Sequence, residues 1–414
     1  MKTWITYLAA TALALATTLL MGQSPLFVTI MSSVTVLFEQ VGLCILFLLI
    51  CFGFTSGIAS IRKDNNLKKV CGTTIVWAVV STFALVLLSV AVFTILPSKF
   101  PATSTTGNDS SFITSYPLSK FNGFQNLFPT NPLIILSFIQ NFLLPLLLVT
   151  FVIGYFLKPD VEVIRPAYVV MNSFSELMFR LSRAFTSVSY FFVFFAAGYF
   201  FSNIYGEGSL FVAVRFLIML CLGCLATILI VIPLLFSLFT GFKTNPYQLI
   251  YRSIASLAVG LFTGNILLST VLNEPISRHN LGCQKRIGAT TIPFYALIGR
   301  GGSAMIATLC TLGLLYSATG NVPESKIMLL IALSCSLMSF CSSIGIGEEV
   351  FLICVLSLRA LHINVYGSEV SLLGLLPLLN GMGVMIDNLL AGMGSCYTSE
   401  TLKVRINTSY QDIL

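Results

Sequence analysis

The chain alternates long apolar runs with short polar breaks, and the length of the runs sets the class of fold. Apolar stretches extend from about Ile5 to Met21, from Val28 to Ile61, on to Leu96, from Pro132 to Leu157, from the break Lys158–Arg165 to Asn203, and from Leu210 to Leu238. A helix crosses the hydrocarbon of a bilayer with about 20 apolar residues. Stretches such as Phe191–Ser202 and Phe211–Phe239 carry no polar positions at helical spacing, so they do not read as amphipathic helices of a water-soluble core. Residues Pro97–Thr130 are rich in Ser, Thr, Asn, Gly and Pro and read as an exposed loop. The pattern predicts an all-α polytopic membrane protein. Its first run, Met1–Leu20, is read as an uncleaved span, with a signal peptide cleaved near Gly22–Ser24 as the alternative.

Beyond Thr240 the pattern changes. Tyr247–Asn273 is apolar but interrupted at Gly260, Gly264 and Asn265, and it returns to a basic loop at Arg278, Lys285 and Arg286. That predicts a re-entrant hairpin, whose non-helical tip is tolerated only where protein buries it or it lines a cavity. Ile287–Tyr316 is a span broken at Gly299, Gly301 and Gly302. Ile327–Val365 is too long for one straight span and is interrupted at Ser342–Gly347, which predicts a second hairpin entering from the other side before the last span, Leu372–Ser395. Paired interrupted segments point to the binding site of a transporter; one ordinary kinked helix at each place is the alternative.

Composition narrows the function classes. Of 414 residues, 56% are hydrophobic and 9% charged, with mean hydropathy +0.94; a soluble domain carries about 25% charged residues. The net charge of +7 does not imply nucleic acid, because the basic residues sit in short clusters between apolar runs. With Lys2 inside, the clusters Arg62–Lys69, Lys158–Arg165, Lys243–Arg252 and Lys403–Arg405 also fall inside, which places both termini in the cytoplasm. The expected location is the inner or plasma membrane. Eleven cysteines lie within apolar runs or basic loops, not in the polar stretch Pro101–Pro129, so no disulfide framework is expected. The two histidines, His279 and His362, form no metal motif with them. No triad, Walker-type loop or acid pair supports catalysis, so no enzyme and no cofactor are expected.

Several residues after Thr240 resemble the dicarboxylate/amino acid:cation symporters, the glutamate-transporter family. The run Leu281–Pro293 is similar to the family's approach to its seventh helix. Asn245-Pro246 resembles the entrance to its first hairpin, and Ser342–Gly347 the tip of its second. The resemblance implies eight transmembrane helices plus two opposed re-entrant hairpins, and usually a homotrimer among membrane lipid. It also implies a division into a six-helix region at 1–240, mainly scaffold with parts of the transport unit, a transport core at 241–402 and a cytoplasmic tail at 403–414. Departures accompany the match. The family's Asn-Met-Asp-Gly-Thr reads Gly299-Arg300-Gly301-Gly302-Ser303, so two oxygen-bearing side chains that would hold sodium are glycines. In the last span, setting Gly394-Ser395 on the family's closing Gly-Asp puts Asp387 on its arginine position, although a four-residue shift is an open alternative.

Charges within apolar runs are the candidate chemistry, since a charge inside the membrane is costly and has a partner or a job. Arg300 has the planar donor fork to read a solute carboxylate; an ion pair with Asp387 or Glu348 is the competing reading. The substrate-binding set is Arg300, Asp387, Asn388, Ser303, Ser342, Ser343, Gly345 and Thr270. Asp387, Glu348 and Glu349 are the coupling candidates, with Asp387 either a proton carrier or a partner for a solute's amino group. The acids at 348 and 349 also suit the start of a helix. Glu39 and Arg215 read as structural or interfacial, and Glu274 and His279 as cytoplasmic loop residues. The expected function is secondary active transport of a small carboxylate, an amino acid or dicarboxylate, by an elevator-type or rocking movement. Coupling to protons, to sodium through backbone carbonyls, or to neither stays open. The alternative is an anion channel or solute sensor built on the same fold.

Overall fold

The computed structural model describes residues 3–21, 24–100, 143–206, 210–341, 348–363, 365 and 372–406. Among these the regular structure is helical throughout. The elements are α1 (Thr3–Met21), α2 (Pro25–Lys63, with a π turn at Ile50–Phe54), α3 (Leu67–Ile95), α4 (Leu143–Phe156) and α5 (Arg165–Gly206). Then follow α6 (210–240, with a π turn at Thr227–Val231), α7 (Pro246–Arg252), α8 (Ile254–Thr263), α9 (Ile266–His279), α10 (Lys285–Ile298), α11 (Gly301–Thr319), α12 (Ser325–Cys341), α13 (Glu349–Ala360) and α14 (Leu372–Thr401).

Seven helices among the described residues are long and apolar enough to cross a membrane, counting Lys285–Thr319 as one span across its break. The expected fourth span is represented by α4 alone, because residues 132–142 lie outside the described residues. The outer faces of the helices expose Leu13, Leu20, Leu87, Ile95, Leu229 and Ile230. Apolar surface of that extent suits lipid and not water. The chain is thus an integral membrane protein.

Two apolar cores organise the helices. One joins Phe38, Ile45 and Ile50 of α2, Phe185 and Val193 of α5, and Leu268, Val271 and Leu272 of α9. The other joins Trp77, Leu85 and Phe93 of α3, Phe216 and Phe236 of α6, Met305, Leu309 and Cys310 of α11, Val350 and Ile353 of α13, and Leu389 and Met393 of α14. Helix α14 is the axis of the second core: the Trp77 indole N–H donates to the Leu390 carbonyl at 3.0 Å, and a Cβ at Gly394 would lie 2.5 Å from the Tyr295 ring.

The basic clusters meet at one end of the molecule. Arg286 pairs with Asp64, Lys285 with Glu176 at 2.9 Å, and Lys63 with Asp160 at 3.7 Å. Arg405, which also pairs with Glu400, donates to the Leu281 carbonyl at 3.1 Å. The segment after α14 is therefore strapped onto the α9–α10 connection.

Candidate functional site

Helices α8 and α9 form a hairpin. Helix α8 ends at Gly264, whose φ of +60° is a conformation that only glycine adopts at little cost. Asn265 then caps α9, its Oδ1 accepting the N–H groups of Leu267 and Leu268 at 3.0 and 3.2 Å. At the open end, Arg252 Nη1 donates to the Asn280 carbonyl at 3.1 Å and Asn280 Nδ2 donates to the Arg252 carbonyl at 3.0 Å. These reciprocal bonds join residues 28 apart in sequence and close the base of the hairpin. Of the second hairpin, the arms α12 and α13 are described; its expected tip residues Ser342, Ser343 and Gly345 lie outside the described residues.

The span 285–319 breaks at Gly299 and Arg300, leaving α11 to start afresh inside the protein. The first N–H groups of a helix have no intrahelical acceptor and carry the positive end of its dipole. Asp387 of α14 meets them: its carboxylate accepts the N–H of Gly302 at 2.6 Å, the N–H of Ser303 at 3.3 Å and the Ser303 hydroxyl at 2.6 Å. This approach requires glycine at 302, where a Cβ would lie 2.5 Å from the Gly383 carbonyl oxygen and 2.6 Å from Ile386 Cβ. Seven residues before Asp387, on the same face of α14, Asn380 accepts the N–H of Val350 at 3.1 Å and closes the start of α13. One helix thereby caps two others.

Arg300 is 1% exposed and stands in the break itself. Its Nε donates to the Ala296 carbonyl at 3.1 Å, one of the acceptors freed at the end of α10. Its Nη1 lies 3.1 Å from Glu349 Oε1, and both side chains are almost wholly buried. The spacing is that of an ion pair, but neither atom is aligned as a hydrogen bond. The partner of Arg300 is thus Glu349. Glu348 is half-buried and Asp387 is engaged by the start of α11, so neither of the two pairings expected from sequence is the contact formed. The helix start at 349 takes its side-chain cap from Asn380, not from the Glu348 carboxylate.

Asn388 faces the hairpin instead of the break. Its Nδ2 donates to the Ser256 carbonyl at 3.1 Å, its Oδ1 accepts the Ser269 hydroxyl at 2.9 Å, and its carbonyl accepts Asn273 Nδ2 at 3.1 Å. Thr270 is buried but its hydroxyl is used within its own helix, donating to the Ile266 carbonyl at 2.7 Å. Glu274 belongs to α9 and is 3% exposed, not a loop residue. The reason is the hairpin's depth: helix continues to His279, so the polar residues that looked like loop are wrapped by neighbours. Arg215 is exposed, and Glu39 lies beside Asn265 at the hairpin tip. Among the described residues no cluster of His, Cys, Asp or Glu has the arrangement of a metal centre.

The model of the sodium:dicarboxylate symporter family matches residues 4–398. The chain belongs to that family. Comparison with individual curated proteins gives no match. Members of the sodium:dicarboxylate symporter family are transporters, which agrees with a buried polar centre built on a broken membrane helix. Sodium prefers oxygen donors, and the break does not supply them from side chains: it offers Gly299, Gly301 and the cation of Arg300, while both Asp387 oxygens are engaged by α11. The residues at the break do not fit a sodium ion.

Proposed function

We propose that this chain is a secondary active symporter that carries a small carboxylate solute, an amino acid or a dicarboxylate, and that it binds the solute at the break between α10 and α11. The observation that carries this reading is the buried pair of Arg300 and Glu349 in that break. A solute carboxylate has the chemistry of the Glu349 side chain and can take its place on the guanidinium. The exchange favours a solute because the resident pair lacks hydrogen-bond alignment, whereas a free carboxylate can take up bidentate geometry. Ser303, Asp387 and the second hairpin's tip, with Ser342, Ser343 and Gly345, complete the proposed site, and Asp387 would receive a solute's amino group.

The same exchange gives a reason for coupling. Displaced from Arg300, Glu349 would be a buried carboxylate without a counter-charge, which is strongly unfavourable. A cation, sodium or proton, must then enter with the solute to restore neutrality. Glu348 and Asp387 are the further coupling candidates. Helices of the α3, α6 and α10–α14 core, with the first hairpin, would move as the transport unit, residues 241–402 supplying most of it. Helices α1, α2, α4 and α5 would stay as scaffold, in a homotrimer with both termini cytoplasmic. The convergence of basic loops at one end supports that orientation. The test is uptake of a labelled panel of amino acids and dicarboxylates into proteoliposomes, comparing wild type with Arg300→Ala. Uptake of a panel member that the substitution abolishes supports the reading; uptake unaffected by it removes Arg300 from the binding role.

A further inference from the structure

The interface between the first hairpin and α14 is polar where its surroundings are apolar. Ser253 and Ser256 project from one arm, Ser269 and Asn273 from the other, and Asn388 and Gly392 face them from α14. All four hairpin side chains are buried, Ser256 and Ser269 to 0% exposure and Asn273 to 1%. The arrangement brings oxygens together and leaves two of them unused. Asn273 spends its amide N–H₂ on the Asn388 carbonyl, and its Oδ1 has no hydrogen-bond partner; Ser256 Oγ has none either. The Ser269 hydroxyl has one proton for two acceptors, the Ile266 carbonyl at 3.0 Å and Asn388 Oδ1 at 2.9 Å.

Space accompanies these oxygens. Gly392 has no side chain, and a Cβ there would stand 3.8 Å from Asn273 Oδ1 and 3.9 Å from Ser253 Oγ. Gly260 likewise lets the Asn388 amide reach into α8, since a Cβ would fall 2.5 Å from Nδ2. Buried polar atoms are almost always satisfied, so two orphans on one interface call for a missing partner. A partner for an amide oxygen and hydroxyls, with no side-chain charge among them, is a small cation or a water.

We propose that this interface holds a sodium ion, with Asn273 Oδ1 and Ser256 Oγ as ligands and the oxygens of Ser253 and Asn388 beside them. The cation is favoured over water by charge. Arg300, Glu349 and Asp387 together leave one negative charge uncompensated in the core, and Asn388 is the residue next to Asp387. The site supplies the oxygen donors that Gly299 and Gly301 do not, one helix contact away from the break. The inference rests on the symport reading for its role, but not for its test.

The full-length protein, purified in detergent, would be unfolded by heat over a sodium chloride titration, with choline chloride holding ionic strength constant and potassium chloride in parallel. Wild type should gain midpoint temperature saturably with sodium and less with potassium. Asn273→Leu and Ser256→Ala should each raise the half-saturating sodium concentration at least about tenfold. Asn273→Asp, which keeps the oxygen, should retain the response and shows whether a loss in the leucine variant is only misfolding. Wild type indifferent to sodium would overturn the proposal and leave water at the interface. A sodium response unchanged in both the leucine and alanine variants would overturn it by placing the ion elsewhere. Solute uptake is read separately, so a failed cation site with intact Arg300-dependent uptake leaves the transport reading standing.

Discussion

Breaking the Arg300–Glu349 pair from one side should be far more damaging than removing both charges. Both side chains are about 99% buried at 3.1 Å, so Arg300→Met leaves Glu349 as an uncompensated charge in the core, and Glu349→Leu does the same to Arg300. Loss of one partner of a buried pair costs about 3–5 kcal/mol, whereas replacing both by apolar groups of similar volume is near neutral or stabilising. Every 1.4 kcal/mol is about tenfold in an equilibrium, so each single variant should raise the unfolded fraction by roughly two to three orders of magnitude. The Arg300→Met/Glu349→Leu double variant should fall within about 1 kcal/mol of wild type. The non-additivity then reaches several kcal/mol, beyond the usual range of about 0.5–3 kcal/mol for contacting residues. Unfolding free energies from titration with dodecyl sulfate in mixed micelles would measure the cycle. Singles that each cost under about 1 kcal/mol and simply add in the double would refute the pairing and place Arg300 against water or another group.

Other outcomes follow from the same geometry. Asp387→Ala strands the Gly302 and Ser303 donors at the start of α11; it should cost about 1–3 kcal/mol and abolish uptake, read by the same micelle titration and by proteoliposome flux. Gly302→Ala puts a methyl group 2.5 Å from the Gly383 carbonyl, and overpacking of this kind costs about 1–3 kcal/mol, with a lower thermal midpoint as the readout. Glu176→Gln removes the acid shared by Lys285, Arg278 and Arg180, but these groups are part-exposed. Its effect on stability should stay within about 1 kcal/mol and shrink at high salt, measured as midpoints at low and high ionic strength.

Much of the fold was legible in the sequence because bilayer thickness dictates the length of apolar runs. The limits read for the first, third and last spans fall within a few residues of α1, α3 and the interior of α14. Both interruptions read at Gly264-Asn265 and Gly299–Gly302 are real helix ends, since glycine and asparagine there carry a turn, a cap and a close helix approach. Gly260 is not a break: it lies inside α8 and makes room for Asn388. Partners were not legible. That Arg300 meets Glu349 and not Asp387 depends on how α13 is rotated against α11, which no local pattern encodes. Asn380 was missed, although its heptad spacing from Asp387 within an apolar run was a usable signal. So was the stripe of Ser269, Asn273 and Ser277 at helical spacing, opposite Ser253 and Ser256.

The central claim, that solute exchange on Arg300 obliges cation entry, is tested most directly by accumulation in proteoliposomes. A labelled amino acid or dicarboxylate would be offered under an inward sodium gradient, an inward proton gradient, and neither. The account predicts uptake that rises above its equilibrium level under one of the gradients, relaxes when that gradient is collapsed, and is lost in Arg300→Ala. Uptake that only equilibrates under every condition, or a current without solute accumulation, would contradict it.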